Sequence, residues 1–167
     1  MSTQQFKQSL AVGREAEDNL SDRLVDAGFH VRTPEPGYFP GYDISCDWDD
    51  GDHSQWGFTT EVKYDVMASK TGNVAIEIRN TRQNKPSGIA GTRADLWCHT
   101  LEDEVWLGNV NEILLYIAQN KPTRTIKNAG DGNATVLLYK KDDIRKVFIR
   151  IDKLNPLELK EAIQDLL

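Results

Sequence analysis

The stretch from Gly41 to Lys63, G-Y-D-I-S-C-D-W-D-D-G-D-H-S-Q-W-G-F-T-T-E-V-K, admits very few local structures. Residues 42–48 and 56–63 alternate by side chain, and Asp49-Asp50-Gly51-Asp52 between them carries hairpin-turn chemistry. Antiparallel pairing centred on residue 52 sets Trp48 against Trp56, Cys46 against Phe58, Ile44 against Thr60 and Tyr42 against Val62, giving one face that is almost wholly apolar. The other face carries Asp43, Ser45 and Asp47 opposite Glu61, Thr59 and Gly57, with Lys63 beyond. A one-residue slip would mix the two sets, so the pattern itself selects this register.

The register predicts two carboxylates, Asp43 and Glu61, directly across from each other with β-carbons roughly 5 Å apart, where like charges destabilise unless something positive lies between them. A divalent cation is the natural occupant. Mg²⁺ takes oxygen ligands, keeps several waters and commonly uses one or two carboxylates together with substrate phosphate. Lys63, two residues after Glu61 on the same face, would project beside it. The plainer alternative is a solvated acidic strand pair with an ion pair to Lys63.

Upstream, Ser2 with Gln5 three residues later has the form of a capping box, and helical spacing predicts a helix from about Thr3 to Ala27, stopped by Gly28. Its inward stripe reads Phe6, Leu10, Gly13, Glu17, Leu20, Leu24 and Ala27. Glu17 thus stands among apolar positions, where a carboxylate needs a partner, while Glu15 points elsewhere. Gly13, one turn earlier, permits close approach to a sheet.

An Asp followed on the next strand by Glu-x-Lys, here Asp43 and Glu61-Val62-Lys63, resembles the PD-(D/E)XK nuclease superfamily, with Gly41-Tyr42 standing where the motif name has a proline. The segment G-R-E-A-E-D-N-L followed by A-G-F-H-V resembles the start of archaeal-type Holliday junction resolvases, through Gly13, Glu17, Leu20 and the Gly28-Phe29 strand entry. The order E-V-K, T-G-N, a strand glutamate, P-S-G-I and A-D looks like a branch of small phage-borne nucleases of that superfamily. The resemblance implies an α/β, restriction-endonuclease-like core with a mixed central sheet flanked by helices. It also implies a site in which Asp43, Glu61, the Val62 carbonyl and Glu17 hold Mg²⁺ or Mn²⁺, with Lys63 catalytic. The activity implied is hydrolysis of DNA phosphodiesters by an endonuclease of branched or junction DNA. Restriction-like or end-dependent nucleases, and a non-catalytic nucleic-acid- or protein-binding module, are the alternatives.

The remaining composition is compatible with this reading. A chain of 167 residues, 39% hydrophobic and 28% charged, is sized for one domain over residues 1–167. No apolar run reaches the roughly 18 residues of a membrane span and the N-terminus lacks a signal-peptide core, so a cytoplasmic location is expected, that of a host cell for a phage protein. Cys46 and Cys98 are isolated and read as reduced core residues. His53 and His99 lack ligand spacing.

A net charge of −6 excludes an indiscriminate nucleic-acid binder, but the charge is uneven, with +4 over residues 63–93 and +5 over 120–150. After a turn at residues 69–73, Val74 to Arg79 alternate as a strand. The loop that follows mixes Arg82, Lys85 and Arg93 with Ser87 and glycines, which suits phosphate oxygens. The expected DNA contacts are Lys70, Arg79, Arg82, Lys85, Ser87 and Arg93. Tyr38 and Phe39 either stack on bases or cover the core. Two-fold symmetric DNA favours a homodimer with one site per strand. Further strands are predicted near residues 29–33, 95–101, 105–107, 125–128, 134–139 and 148–151. Helices are predicted near 111–120, 140–147 and 156–167, with Trp97 and Trp106 in the core.

Overall fold

The computed structural model describes residues 3–35, 37–38, 40–49, 55–129 and 132–167. The Ser2 cap, Phe39, the turn residues Asp50-Gly51-Asp52, His53, the Gly130-Asp131 turn and the Phe6 side chain lie outside the described residues. Helix α1 (Thr3–Asp26) leads into β1 (His30–Arg32), β2 (Ile44–Asp49) and β3 (Gln55–Tyr64). A short α2 (Ala68–Thr71) precedes β4 (Asn73–Asn80) and β5 (Lys85–Pro86), and a 3-10 turn at Gly88–Ala90 leads to β6 (Leu96–Thr100). Then come β7 (Val105–Asn109), α3 (Val110–Gln119), β8 (Arg124–Ala129), β9 (Ala134–Lys140), α4 (Lys141–Ile144), β10 (Ile149–Arg150) and α5 (Pro156–Leu166).

The strands form two sheets. A mixed sheet runs β1-β2-β3-β6-β7-β10, antiparallel throughout except for the parallel β3/β6 pair, and helices pack against it. The α/β class with a mixed central sheet and flanking helices is therefore as expected. The second, four-stranded sheet, β5-β4-β9-β8, is wholly antiparallel and was not foreseen as a separate sheet. Local pattern marks β4, β8 and β9 but carries no record of which strands they pair with, and β5 falls in the stretch read as a loop.

The β2/β3 register is the predicted one, with Trp48 opposite Trp56, Cys46 opposite Phe58 and Ile44 opposite Thr60. Burial follows the alternation: Ile44, Cys46, Trp48 and Phe58 are buried and join Leu20, Leu24 and Ala27 of the α1 region and Leu159 and Ile163 of α5 in one core cluster. Two expectations are corrected. Leu10 is exposed, and Ala16 is buried with Leu20 and Leu24, because the stripe that meets the sheet turns slightly from the predicted one. Trp56 is 57% exposed although it stacks on buried Trp48, since it lies at the outer end of the hairpin.

A second core cluster, with Val74, Ile76, Trp97, Trp106, Ile113, Leu137 and Tyr139, joins the two sheets. The helix ends follow their capping chemistry. The Asn109 side chain accepts from the amides of Asn111 and Glu112, and Asn155 makes a capping box with Glu158 ahead of Pro156.

Where β3 hands the chain over to the second sheet, buried Asp65 takes up the loose backbone. Its Oδ1 accepts from the amides of Met67 and Ala68, each at 3.1 Å, and its Oδ2 from Ala75 at 2.8 Å. His99 Nε2 lies 3.4 Å from the same Oδ2, and Trp97 Nε1 donates to His99 Nδ1 at 3.2 Å. With Nδ1 an acceptor, Nε2 carries the proton and faces the carboxylate. Burial pushes the Asp65 carboxyl up, but the His99 bond and the Ala75 and Met67 amides outweigh it and hold the group below its ordinary value. His99, which stood alone in the sequence, is thus a structural partner. Asp65→Ala strands these amides and the imidazole, and we expect it to lower unfolding free energy by about 2–4 kcal/mol. Urea denaturation followed by tryptophan fluorescence measures the shift.

Candidate active site

Strand alternation points Asp43 and Glu61 to one face, and the end of β2 brings them to the centre of the sheet. Ladder pairing of β2 with β3 runs from Asp49 to Ile44, and the Asp43 amide then donates to the Thr60 carbonyl at 3.0 Å. Beyond it the predicted Tyr42–Val62 pair does not form. The Val62 amide donates to the Asp43 carboxylate at 2.8 Å, so a side chain replaces the backbone as the next rung. In an extended strand the N–H and C=O of one residue point to the same edge. The Val62 carbonyl therefore leaves β3 on the edge where Asp43 lies.

Glu61 sits on the same strand. Thr92 Oγ1 lies 3.3 Å from its Oε2, donates to the Gly41 carbonyl at 2.9 Å and accepts from the Ala94 amide at 3.2 Å. The Arg93 amide also donates to the Gly41 carbonyl, at 2.8 Å. Gly41 has φ +95°, and a β-carbon there would stand 3.1 Å from Arg93 Cγ. The segment entering Asp43 is thereby stapled to the loop after β5 through a residue that only glycine fills comfortably. Thr92 was missed from sequence, since a lone threonine in a glycine-rich loop carries no local signal. Asp95, which accepts from the Thr59 amide at 2.8 Å and hydroxyl at 2.9 Å, fastens the start of β6 to β3.

The three predicted carboxylates are all raised, and the Asp43 charge acts on the other two. Burial, then the Asp43 charge, raises the Glu61 carboxyl to about 7, against the opposing pull of Thr92 and Lys63. Asp43 is raised by burial, partly offset by the Val62 amide and Lys63. Glu17 is raised by burial, then by Asp43 and Asp18. Glu17 of helix α1 therefore lies near enough to Asp43 to sense its charge, although it stands on an otherwise apolar helix stripe. Among the described residues, no three His, Cys, Asp or Glu side chains converge tightly enough to enclose a metal ion by themselves. A hard cation that draws on two carboxylates, a carbonyl, water and substrate fits such a donor set.

Lys63 is half-exposed on the same strand, and its Nζ lies 3.9 Å from Glu77 Oε2 of β4. Of the expected phosphate contacts, Lys70, Arg79, Arg82, Lys85 and Arg93 are all exposed. Arg79, Arg82 and Lys85 cluster around the β4–β5 connection, where Arg79 Nε donates to Asn84 Oδ1 at 3.2 Å. Ser87 differs from the expectation: it is half-buried, and its hydroxyl donates to Glu77 Oε1 at 2.6 Å. Tyr38 is 65% exposed and does not cover the core. Cys46 and Cys98 are buried free thiols that burial raises to about 12. No helix among the described residues is long and apolar enough to cross a membrane.

No protein-family model matches the chain, and no curated protein matches it by sequence. Among solved structures it is similar to the bacterial homing endonuclease I-Ssp6803I, with 21% identity and a TM-score of 0.43 over 59% of this chain and 67% of that one. It is also similar to Hjc, a Holliday junction resolvase from the hyperthermophilic archaeon Archaeoglobus fulgidus, with 15% identity and a TM-score of 0.43 over 83% of this chain and 91% of that one. What the site can do is set by its own side chains.

The raised Glu61 carboxyl predicts a pH signature. The folded protein holds a proton that the unfolded chain, titrating near 4.5, has already lost, so stability falls as pH rises from 4.5 through about 7. Glu61→Gln should remove most of that fall and melt above the parent protein at pH 8. Mg²⁺ should raise the parent's thermal midpoint more at pH 8 than at pH 5. Thermal melts at the two pH values, with and without Mg²⁺, measure both effects.

Proposed function

We propose that this chain is a divalent-metal-dependent DNA endonuclease of the PD-(D/E)XK type, acting on branched or junction DNA. The observation that carries the reading is the shared environment of Asp43 and Glu61. Burial raises both carboxyls, and the Asp43 charge raises Glu61 further, beside a strand-edge carbonyl and a lysine, an arrangement relieved by a cation. Asp43, Glu61 and the Val62 carbonyl would hold Mg²⁺ or Mn²⁺, with Glu17 as an additional ligand, direct or through water. A divalent cation in that place supplies charge neutralisation at a phosphate and acidifies water.

The chain's own groups do the rest. The Val62 amide holds Asp43 in one orientation, leaving its other oxygen free to face the ligand. Thr92 restrains Glu61 on its own side. The Lys63 ammonium is placed to hold a water or a phosphate oxygen and to offset charge that develops there. Preference for branched DNA is supported by the Gly13, Glu17 and Leu20 pattern of its first helix. A homodimer would set one such site on each of two strands.

Metal and cleavage measurements on five variants test the roles separately. Asp43→Asn and Glu61→Gln should abolish cleavage of a four-way junction and weaken Mg²⁺ binding in calorimetry, with the fold intact. Lys63→Ala should keep Mg²⁺ binding while cleavage falls by about 10²–10³-fold. Glu17→Gln should lie between, and exposed Glu15→Gln should be nearly silent. Full activity and metal affinity in Asp43→Asn would return the hairpin to an ordinary acidic surface. Offering single-stranded, duplex, flap and junction DNA identifies the substrate, and release of mononucleotides from ends alone would rule out an endonuclease.

The basic rim is tested apart from the chemistry. Neutralising Arg82 and Lys85 together should weaken DNA binding uniformly across sequences and flatten the dependence of log affinity on log salt by about 0.9 per lost phosphate contact. An unchanged slope would put the DNA surface elsewhere.

A further inference from the structure

Lys63 and Glu77 come from different sheets. Lys63 lies near the end of β3 in the mixed sheet, while Glu77 belongs to β4 in the four-stranded sheet, and their side chains meet at 3.9 Å. An ion pair as exposed as this one contributes little to stability, about 0–1 kcal/mol. The support built around Glu77 is out of proportion to that contribution. Its Oε1 takes a 2.6 Å bond from the Ser87 hydroxyl, in the range of strong charge-assisted bonds. The β4/β9 register shifts between Glu77 and Arg79, and a bulge of this kind re-aims side chains. Gly88, at φ +54°, lies so close that a β-carbon on it would stand 2.3 Å from the Glu77 carbonyl oxygen and 2.7 Å from its Cβ. A bulge, a serine and a glycine thus fix one glutamate, whose free Oε2 is turned to the lysine.

We infer that Glu77, held by Ser87, is a positioning residue that orients the Lys63 ammonium toward the Asp43–Glu61 site. This rests on the reading of Lys63 as the cation that serves the reacting groups. A lysine side chain has about 2 kcal/mol of rotamer entropy to lose when it is fixed. Glu77 restricts that freedom before substrate arrives, and the Ser87 bond prevents the carboxylate from following the lysine out to solvent. The serine and glycine of the P-S-G-I segment therefore serve the catalytic lysine, whereas their sequence setting pointed to phosphate binding.

The test is a double-mutant cycle on the full chain, paired with a measurement that needs no activity. Glu77→Gln should lower kcat for Mg²⁺-dependent DNA cleavage about 10- to 100-fold, with KM, half-saturating Mg²⁺ and thermal midpoint unchanged. Ser87→Ala should move kcat in the same direction by less. In the Lys63→Ala background Glu77→Gln should cost nothing further, because the two residues act as one unit. An equal loss in that background, or a kcat that stays level or rises in Glu77→Gln, overturns the inference.

In metal-free protein labelled with ¹⁵N-lysine, the Lys63 ammonium signal, assigned with Lys63→Arg, should show restricted motion that is lost in both Glu77→Gln and Ser87→Ala. Equal mobility in all three proteins overturns the positioning role whether or not the chain cuts DNA. Absence of cleavage by the parent protein on every DNA form would instead overturn the nuclease reading, and the ammonium measurement would still decide how Glu77 acts.

Discussion

The bond from the Val62 amide to the Asp43 carboxylate is the point on which the site depends. A β-ladder that continued past Ile44 would bury both strands' backbone groups in each other and hold Tyr42 against Val62. Substituting a carboxylate for the next carbonyl satisfies the amide and stops the ladder. It leaves a notch in the ladder at Asp43, beside Glu61 and Val62 of β3. The notch also explains how helix α1 contributes. Its second half packs Leu20 and Leu24 on the apolar side of the hairpin, and Glu17, one turn earlier, comes near enough to Asp43 for that charge to raise its carboxyl.

Such a cluster is costly in the absence of a ligand. Burial pushes all three carboxyls up, and the Asp43 charge adds to the rise of Glu61 and Glu17. The folded scaffold tolerates this because the surrounding contacts are over-determined: Gly41 is stapled by Thr92 and Arg93, and Asp95 ties Thr59 to the head of β6. Stored electrostatic strain of this kind is the counterpart of affinity for a cation, since the same repulsion that destabilises the free protein is removed on binding.

Lys63 stands at the join between the two sheets. Two residues after it, Asp65 gathers the amides of α2 and β4 and packs against His99, so the second sheet is hung from the end of β3. This attachment sets where Glu77 and Ser87 fall relative to Lys63, and where the exposed Arg79, Arg82 and Lys85 stand. The acidic centre and the basic rim thus occupy neighbouring but separate parts of a chain whose overall charge is negative.

The period-two alternation of residues 42–48 and 56–63 was enough by itself to determine the pairing of β2 with β3 from Ile44 to Asp49, because a one-residue slip would have exchanged every buried side chain for a polar one, but not the break in the ladder at Asp43. Helical spacing likewise placed Glu17 on a packing stripe, and the Gly28 signal marked the end of the first helix. These are local properties, legible wherever a few neighbouring residues set the outcome.

What only the tertiary structure decided involves residues far apart in the chain. Thr92 meets Glu61 from 31 residues away, His99 meets Asp65 from 34 away, and Glu77 meets Lys63 across two sheets. Ser87 was read as a phosphate contact because a hydroxyl among glycines and basic residues looks like one. The fold turned it inward to a carboxylate instead, since strand pairing that brings β4 beside β5 is settled by long-range packing and leaves no periodic trace in the sequence.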